Sequence, residues 1–298
     1  MRVASKRRTT GIAVLVAALA VSLAACGDDA ASEGVATVTE IVTAPSSTTP
    51  QAPSSTEKSS NAERRLTASF DDLALAQPVG LAVEAVGGGN SMVFGDQTPR
   101  VAWSTIKVPI ALAAERRNGA SDSESAAIID SDNAAAEALW ASLGSPDQAA
   151  AAVTEVLREG GDETTTVPSQ KLRPEYTVFG QTSWPLADAA TFTAHLPCLP
   201  GSEHVVSLMG QVAGNQQWGL EVIPARATAV KGGWGPNADG GYVVRQIGLV
   251  TLKNGRRAAV AMSTYAPGAS MDSGIAALNQ VGGWVGRHLA SLPAGRCA

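Results

Sequence analysis

The spacing of apolar residues divides the chain into a strand-like beginning, a helical middle and a strand-like end. After a helical pattern over residues 61–75, two short apolar runs flank a glycine-rich turn at 87–90, which is typical of a β-hairpin. Helical periodicity then dominates six segments: 108–117, 123–129, 133–143, 146–158, 186–195 and 203–212. An irregular loop over residues 164–185 interrupts this series.

Strand patterns return in the last third of the chain. They cover residues 226–234, 242–252 and 257–265, and Asn254-Gly255 between the last two is a strong hairpin signal. A final helical pattern follows over residues 273–292. Because strands lie at both sequence ends and helices lie between them, we predict an α/β fold. One antiparallel sheet is built from both ends and flanked by helices, and the helical middle forms an inserted all-helical lobe.

Residues 1–26 have the pattern of an export signal. Basic residues precede an apolar run over 11–23 that is too short to span a bilayer comfortably. The run ends in Leu-Ala-Ala-Cys, so that Cys26 stands where a bacterial lipobox has the cysteine that is cleaved and lipidated. The alternative is an ordinary secretory signal cleaved after a small-residue pair. Both interpretations predict an exported protein, and the first anchors it to the outer face of the cytoplasmic membrane.

Residues 27–63 are rich in Ser, Thr, Ala and Pro and contain almost no large apolar side chains. Such a segment cannot bury enough surface to offset its conformational entropy. We therefore predict a disordered tether, followed by one folded domain over residues 64–298.

Charge and cysteine content add two expectations. The formal net charge of −5 gives no reason to expect nucleic-acid binding. With Cys26 used for lipid, Cys198 and Cys297 remain, and two cysteines in an exported protein predict a disulfide. Two unpaired thiols are the alternative.

Candidate chemistry begins at Ser104-Thr105-Ile106-Lys107, which opens a helical run. Residues i and i+3 share a helix face, so the Ser104 hydroxyl and the Lys107 ammonium can lie side by side. A serine nucleophile needs an adjacent base, and a lysine can serve if burial or a nearby cation lowers its pKa. The free N–H groups at a helix start also favour a developing oxyanion. Alone, this short motif is more often an ordinary surface helix start.

Two further motifs change that interpretation. Ser131-Asp132-Asn133 separates two alanine-rich helical segments, and Lys231-Gly232-Gly233 lies in the strand-like last third. Ser-x-x-Lys, Ser-Asp-Asn and Lys-(Thr/Ser)-Gly, in this order, are the motifs of class A β-lactamases and penicillin-binding proteins. The chain resembles that superfamily, closest to class A, from about residue 66 to the closing helix. Taken singly, Ser-Asp-Asn also suits a helix N-cap and Lys-Gly-Gly a turn.

The resemblance implies a serine β-lactamase-like fold and a role for each motif residue. Ser104 would attack a carbonyl carbon, and Lys107 would take its proton. Ser131 would pass a proton to the leaving nitrogen, with Lys231 holding the charge of this relay in place.

The resemblance also implies the groups that bind substrate. Asn133 would hydrogen-bond a side-chain amide of the substrate. The backbone N–H groups of Ser104 and of Trp234, which follows Gly233, would form the oxyanion hole. Arg245, nine positions before Asn254, matches the spacing of a carboxylate-binding arginine in several class A enzymes, and the alternative is a solvent-facing strand residue.

Two positions depart from the family pattern. Class A enzymes carry a glutamate, with an asparagine soon after it, that activates the deacylating water. The corresponding loop here holds only Glu175 and lacks that asparagine. Gly232 stands where the family has Thr or Ser, and losing that hydroxyl should weaken recognition of a substrate carboxylate by about 1.5–3 kcal/mol.

The sequence thus predicts a penicillin-recognising serine hydrolase that forms an acyl-enzyme on a β-lactam or a cell-wall D-alanyl peptide. Impaired deacylation is left open, as are a non-catalytic envelope lipoprotein that binds in the same cleft and a general esterase. His195, His204 and His288 have no spacing suited to a metal or a catalytic triad, so we expect neither metal nor cofactor. The expected partners are the substrate and, through lipid, the membrane, with the protein a monomer.

Overall fold

The computed structural model describes residues 55–89, 91–224 and 227–298. The predicted export signal, Cys26 and most of the predicted tether lie outside these residues. The helices are α1 (Ser55–Asp71), α2 (Lys107–Asn118), α3 (Asp122–Ser125), α4 (Asn133–Ser142), α5 (Pro146–Glu159), α6 (Leu186–His195), α7 (Glu203–Met209) and α8 (Met271–His288). The strands are β1 (Val79–Ala85), β2 (Met92–Gly95), β3 (Arg100–Val101), β4 (Ser183–Trp184), β5 (Thr228–Pro236), β6 (Tyr242–Thr251) and β7 (Arg257–Thr264).

Five strands form one antiparallel sheet in the order β2-β1-β7-β6-β5. Because β1 pairs with β7, the first strands of the domain lie beside the last, as the sequence predicted. β5 is an edge strand of this sheet, so one side of it is available to a cleft. β3 and β4 form a separate two-stranded pair.

The two faces of the sheet serve two hydrophobic cores, following the period-two alternation of a strand. Leu81 and Val83 of β1 pack with α8 residues such as Trp284 and with Phe70 of α1. Ala82, between them, belongs to the core of the helical lobe. The sheet therefore connects the terminal helices to the lobe that carries α2.

α2 is the central helix of the lobe. Its residues Lys107 to Ala114 are all buried, which explains a helix that is apolar nearly all round. The start of α2 follows directly from a turn of 3-10 helix, Trp103–Ile106. The buried helix thereby fixes the position of Ser104 relative to Lys107.

Some boundaries differ from the sequence prediction. α1 begins at Ser55, inside the segment predicted to be a tether. The predicted helix over residues 123–129 is a short α3 followed by a π-helical turn, Ala126–Asp130, that ends in the left-handed residue Ser131. The predicted disulfide is present, with Cα atoms of Cys198 and Cys297 5.4 Å apart. Among the helices of the described residues, none is long and apolar enough to cross a membrane.

Candidate active site

Ser104 lies at the edge of a pocket of about 410 Å³. One wall consists of Trp234, Gly235 and Pro236 from β5, and another comes from the loop residues Lys171 and Glu175 to Thr177. The remaining lining residues are Trp103, Asn133, Glu137, Phe179 and Tyr242. The predicted nucleophile therefore faces a cavity large enough for a small-molecule substrate.

Lys107 is buried beneath the pocket and donates three hydrogen bonds. Its Nζ donates to the carbonyls of Ser131 (2.6 Å) and Asp132 (3.1 Å) and to Oδ1 of Asn133 (2.8 Å). Burial lowers the pKa of Lys107 to about 8, although the charges of Asp132 and Glu137 act in the opposite direction. A fraction of Lys107 is therefore uncharged near neutral pH, and the uncharged amine is the form that can act as a general base.

Ser131 bridges the two lysines of the motif set. It adopts a left-handed backbone (φ 60°), which costs a non-glycine residue about 1–3 kcal/mol and is found mainly at functional sites. In this conformation its carbonyl accepts from Lys107, while its Oγ accepts from Lys231 Nζ at 2.9 Å. A hydrogen-bonded path thus runs from Lys107 through Ser131 to Lys231.

Lys231 lies on β5 and is completely buried. Besides Ser131, its Nζ donates to Oε1 of Gln216 and to the carbonyl of Gly232. Burial, together with the charge of Lys107, lowers the pKa of Lys231 well below its usual range. A positive charge on one lysine disfavours a positive charge on the other. When Lys107 gains a proton, loss of a proton by Lys231 is therefore favoured.

Gln216 is a site residue that the sequence analysis missed. Its Oε1 accepts from Lys231 and from the Gly232 N–H, and its Nε2 donates to the carbonyls of Ile128 and Ile129. It therefore connects β5 to the turn that presents Ser131. No motif surrounds Gln216, and only the fold brings it next to Lys231.

The two glycines of Lys-Gly-Gly allow close approaches. A Cβ on Gly233 would lie 2.9 Å from the Ala102 carbonyl oxygen and 3.0 Å from the Ser104 nitrogen. A Cβ on Gly232 would lie 2.8 Å from Cζ2 of Trp218. Where the family has a Thr or Ser side chain, this protein therefore has the ring of Trp218, which occupies the space beside Gly232.

The orientation of β5 bears on the predicted oxyanion hole. The Gly232 N–H donates to Gln216, off the free edge of the sheet, and not to β6. In a strand, N–H groups two residues apart point to the same side, so the Trp234 N–H also points off this edge. Trp234 lines the pocket together with Ser104, where the predicted second N–H donor is required.

Asn133 is also brought into the pocket, at the start of α4. The side chain of Asp132 caps this helix by accepting from the Ala135 N–H at 2.7 Å. Because a lysine ammonium can only donate, Oδ1 of Asn133 faces Lys107 and its amide NH₂ remains for another acceptor.

Arg245 is not part of the pocket. Its side chain is completely buried and lies over the ring of Trp184, 5.6 Å from the centroid. Its Nη1 donates to the carbonyls of Arg100, Val101 and Trp184, and burial lowers its pKa to about 9. The structure thus separates Arg245 from the predicted carboxylate site. The hydrogen bonds of Arg245 instead hold β4 against β3, the strand that comes just before Ser104 in the chain.

Glu175 does line the pocket, but from an exposed position. Its side chain is 55% exposed and its Oε1 lies 3.3 Å from Arg173. Arg173 in turn donates to the Pro236 carbonyl and lies over the Tyr176 ring, so the loop is tied to the end of β5. Glu137, one turn after Asn133 on α4, is a second pocket carboxylate that the sequence analysis did not single out.

Taken together, the five-stranded sheet from both chain ends, the helical lobe and the placement of the three motifs define the fold of the serine β-lactamase and penicillin-binding protein superfamily. Solved structures of that superfamily match the chain. A TLA-3 extended-spectrum β-lactamase aligns with a TM-score of 0.63 at 15% identity, covering 76% of this chain and 99% of its own. A class A β-lactamase representative from Bacteroides cellulosilyticus aligns with a TM-score of 0.62 at 16% identity, covering 78% and 98%.

PBP-A aligns with a TM-score of 0.57 at 21% identity, covering 78% of this chain and 97% of its own. At these identities the likeness establishes the fold. No family model matches the sequence, and no curated protein matches it either.

Proposed function

We propose that the protein is a serine hydrolase that forms an acyl-enzyme on Ser104 with an amide substrate, a β-lactam or a D-alanyl peptide. The observation that carries this proposal is the bridge of Ser131 between Lys107 and Lys231, next to a pocket that contains Ser104. A merely structural pair of buried lysines would not require a strained serine between them.

In the proposed acylation, Ser104 Oγ forms a bond to the carbonyl carbon and its proton passes to neutral Lys107 Nζ. The backbone N–H groups of Ser104 and Trp234 stabilise the oxyanion. When the C–N bond breaks, the nitrogen takes the proton of Ser131 Oγ. The proton that Lys107 took from Ser104 returns to Ser131 Oγ, which Lys231 holds in place by a hydrogen bond, so both lysines end in their starting protonation states. The product is an ester on Ser104 and a free amine.

Deacylation is proposed to be the slower step. Water must attack the Ser104 ester, giving a carboxylic acid and regenerating the hydroxyl, and a general base accelerates such a step by about 10²–10⁴-fold. The two pocket carboxylates, Glu137 and Glu175, both belong to exposed residues. An exposed carboxylate that faces solvent is poorly positioned to aim one water at the ester.

The test is intact-mass measurement after incubation with a panel of β-lactams and with an activated fluorophosphonate. We expect one adduct per chain, its absence in Ser104→Ala, and an adduct that persists for minutes. Ser169→Ala, which changes a serine outside the pocket lining, is the matched control. Binding of a β-lactam without any mass increase would instead support the non-catalytic lipoprotein, and labelling by fluorophosphonate alone would support the general esterase.

We further propose that the protein is exported and anchored by lipid on Cys26. The Cys198–Cys297 disulfide supports an oxidising compartment outside the cytoplasm. The variant Cys26→Ala should lose membrane fractionation or remain unprocessed. Fractionation identical to that of the wild type would contradict the lipid anchor without affecting the proposal for Ser104.

A further inference from the structure

Three helices of the lobe bring together side chains that the sequence keeps far apart. Glu115 lies in the last turn but one of α2, Glu124 in α3 and His204 in α7. One ligand atom from each lies within 4.8 Å of the others, and within the described residues this is the group able to hold a metal ion. The sequence analysis expected no metal here, because the three histidines of the chain have no spacing suited to a ligand set.

The polar atoms of this cluster are incompletely satisfied. Glu124 is completely buried, and its Oε2 accepts from the Ser121 N–H at 2.7 Å. Its other oxygen, Oε1, has no hydrogen-bond partner, and neither has Oε2 of Glu115 or Nδ1 of His204. Buried groups of this kind are normally paired, because leaving one unpaired costs about 1–3 kcal/mol and more if it is charged.

Among the neighbouring basic residues, His204 pairs with Oε1 of Glu115 only when its imidazole is protonated. Arg116, the next residue after Glu115, is engaged by Glu159 and by the Pro200 carbonyl. Burial raises the pKa of Glu124 to about 7, and the charge of Glu115 acts in the same direction, so near neutral pH the two carboxylates carry less than two full charges, with an imidazole nitrogen beside them.

We propose that Glu115, Glu124 and His204 bind one divalent transition-metal ion of the Zn²⁺ class. An imidazole nitrogen with two carboxylate oxygens is a donor set typical of such ions, whereas Ca²⁺ and Mg²⁺ take oxygen ligands almost exclusively. Ligand bonds of about 2.0–2.1 Å place tetrahedral ligand atoms about 3.4 Å apart, and His204 Nδ1 already lies 3.4 Å from Glu115 Oε1.

The site is open on one side. The side chains of His204 and Glu115 are 37% and 17% exposed, so an ion can enter there and a water can complete its coordination. Bound metal would satisfy an unpaired atom on each of three helices at once. Because Glu115 lies eight residues after Lys107, about 12 Å along α2, the ion would stabilise the lobe and take no part in the chemistry at Ser104.

The test is titration of the full chain, free of any affinity tag and stripped with EDTA, with ZnCl₂ by calorimetry. We expect saturable binding of one ion per chain and a higher melting temperature with Zn²⁺ than with Mg²⁺. Co²⁺ should give visible absorption bands that Zn²⁺ abolishes. Neither ion should change the rate of Ser104 labelling.

Glu124→Gln and His204→Gln should each weaken Zn²⁺ binding at least ~10-fold, the range seen even for groups outside the first ligand sphere. Glu124→Gln keeps an oxygen for the Ser121 N–H, and His204→Gln alters a partly exposed residue, so the folded lobe should persist in both. Glu155→Gln, an exposed carboxylate on α5, is the matched control and should bind as the wild type does.

No saturable Zn²⁺ binding by the wild type would overturn the proposal, as would binding that both variants retain. The first result, combined with a melting temperature raised by Glu124→Gln, would mean that the two carboxylates share a proton instead of a metal ion.

Discussion

Two sides of the candidate site differ in how firmly their polar groups are held. On one side, behind the residues that line the pocket, buried Lys107, Lys231 and Gln216 and the partly exposed Ser131 form a hydrogen-bonded set, here the lysine network, in which each side chain has protein partners. On the other side, residues 171–177 form the loop wall, whose carboxylate Glu175 is more than half exposed. Preorganised polar groups in a dry site contribute most to catalysis, so in the proposed reaction this difference favours formation of the acyl-enzyme over its hydrolysis.

The largest effect is expected when a member of the lysine network is removed. Lys107→Ala should slow labelling of Ser104 by about 10²–10⁴-fold, because the general base is lost. Labelling by a fluorescent β-lactam or fluorophosphonate, followed in time, measures the effect. A rate within a few-fold of the wild type would place the base elsewhere.

The pH dependence of labelling tests the protonation state of the same network. Lys107 is a base only when neutral, and its pKa is lowered to about 8 by burial. The rate should therefore rise with pH and level off above about 8, with a total gain of about 10²-fold between pH 6 and 9. Stopped-flow labelling across that range is the measurement. A rate that falls as the pH rises through 8 would mean that the ammonium form is the active one.

Gly232→Thr tests the close contact between residue 232, which follows Lys231, and the ring of Trp218. Restoring the family side chain forces its Cβ against Trp218, which is buried and donates from Nε1 to the Asn215 carbonyl. Overpacking of this kind should cost about 1–3 kcal/mol in the free energy of unfolding. Urea denaturation measures this free energy. The two single variants Gly232→Thr and Trp218→Ala, together with the double variant, form a double-mutant cycle that isolates the contact. A fully additive pair would contradict the contact.

The smallest effects are expected at the exposed carboxylates. Glu175→Gln and Glu137→Gln should each change the acylation rate and the lifetime of the adduct by no more than about twofold, as is usual for surface substitutions. Intact-mass measurements at increasing times after removal of excess β-lactam report that lifetime. Rapid turnover by the wild type that stops in one of the two variants would show that an exposed carboxylate does activate water.

Much of this arrangement could be predicted from the sequence, because each motif sits on a strong local signal. The Ser104–Lys107 spacing follows from helix geometry, and the sheet from both ends follows from apolar periodicity and the Asn254-Gly255 turn. The left-handed Ser131 was not predicted, since a polar residue after an apolar run also fits a simple N-cap.

Contacts that depend on tertiary packing were beyond the sequence. Arg245 matched a family spacing, yet its guanidinium is drawn to carbonyls exposed by the short β3–β4 pair. Gln216 and Trp218 lie in a segment without a motif, and only the folded chain shows that one binds Lys231 and the other fills the space beside Gly232. Spacing identifies which residues can act together, whereas packing decides which way each side chain points.

The disulfide has a consequence for how a cleaved molecule behaves. Cys198 and Cys297 are 99 positions apart, and the loop they close contains β5, β6, β7 and α8. A protease that cuts once anywhere in this loop leaves two pieces that remain covalently joined. Such a nicked chain migrates as one species without reductant and keeps Lys231 attached to the part that carries Ser104. Proteolysis at a surface turn such as Asn254-Gly255 would thus leave β7 and α8, which follow the cut, joined through the disulfide to the piece that carries Ser104 and Lys231.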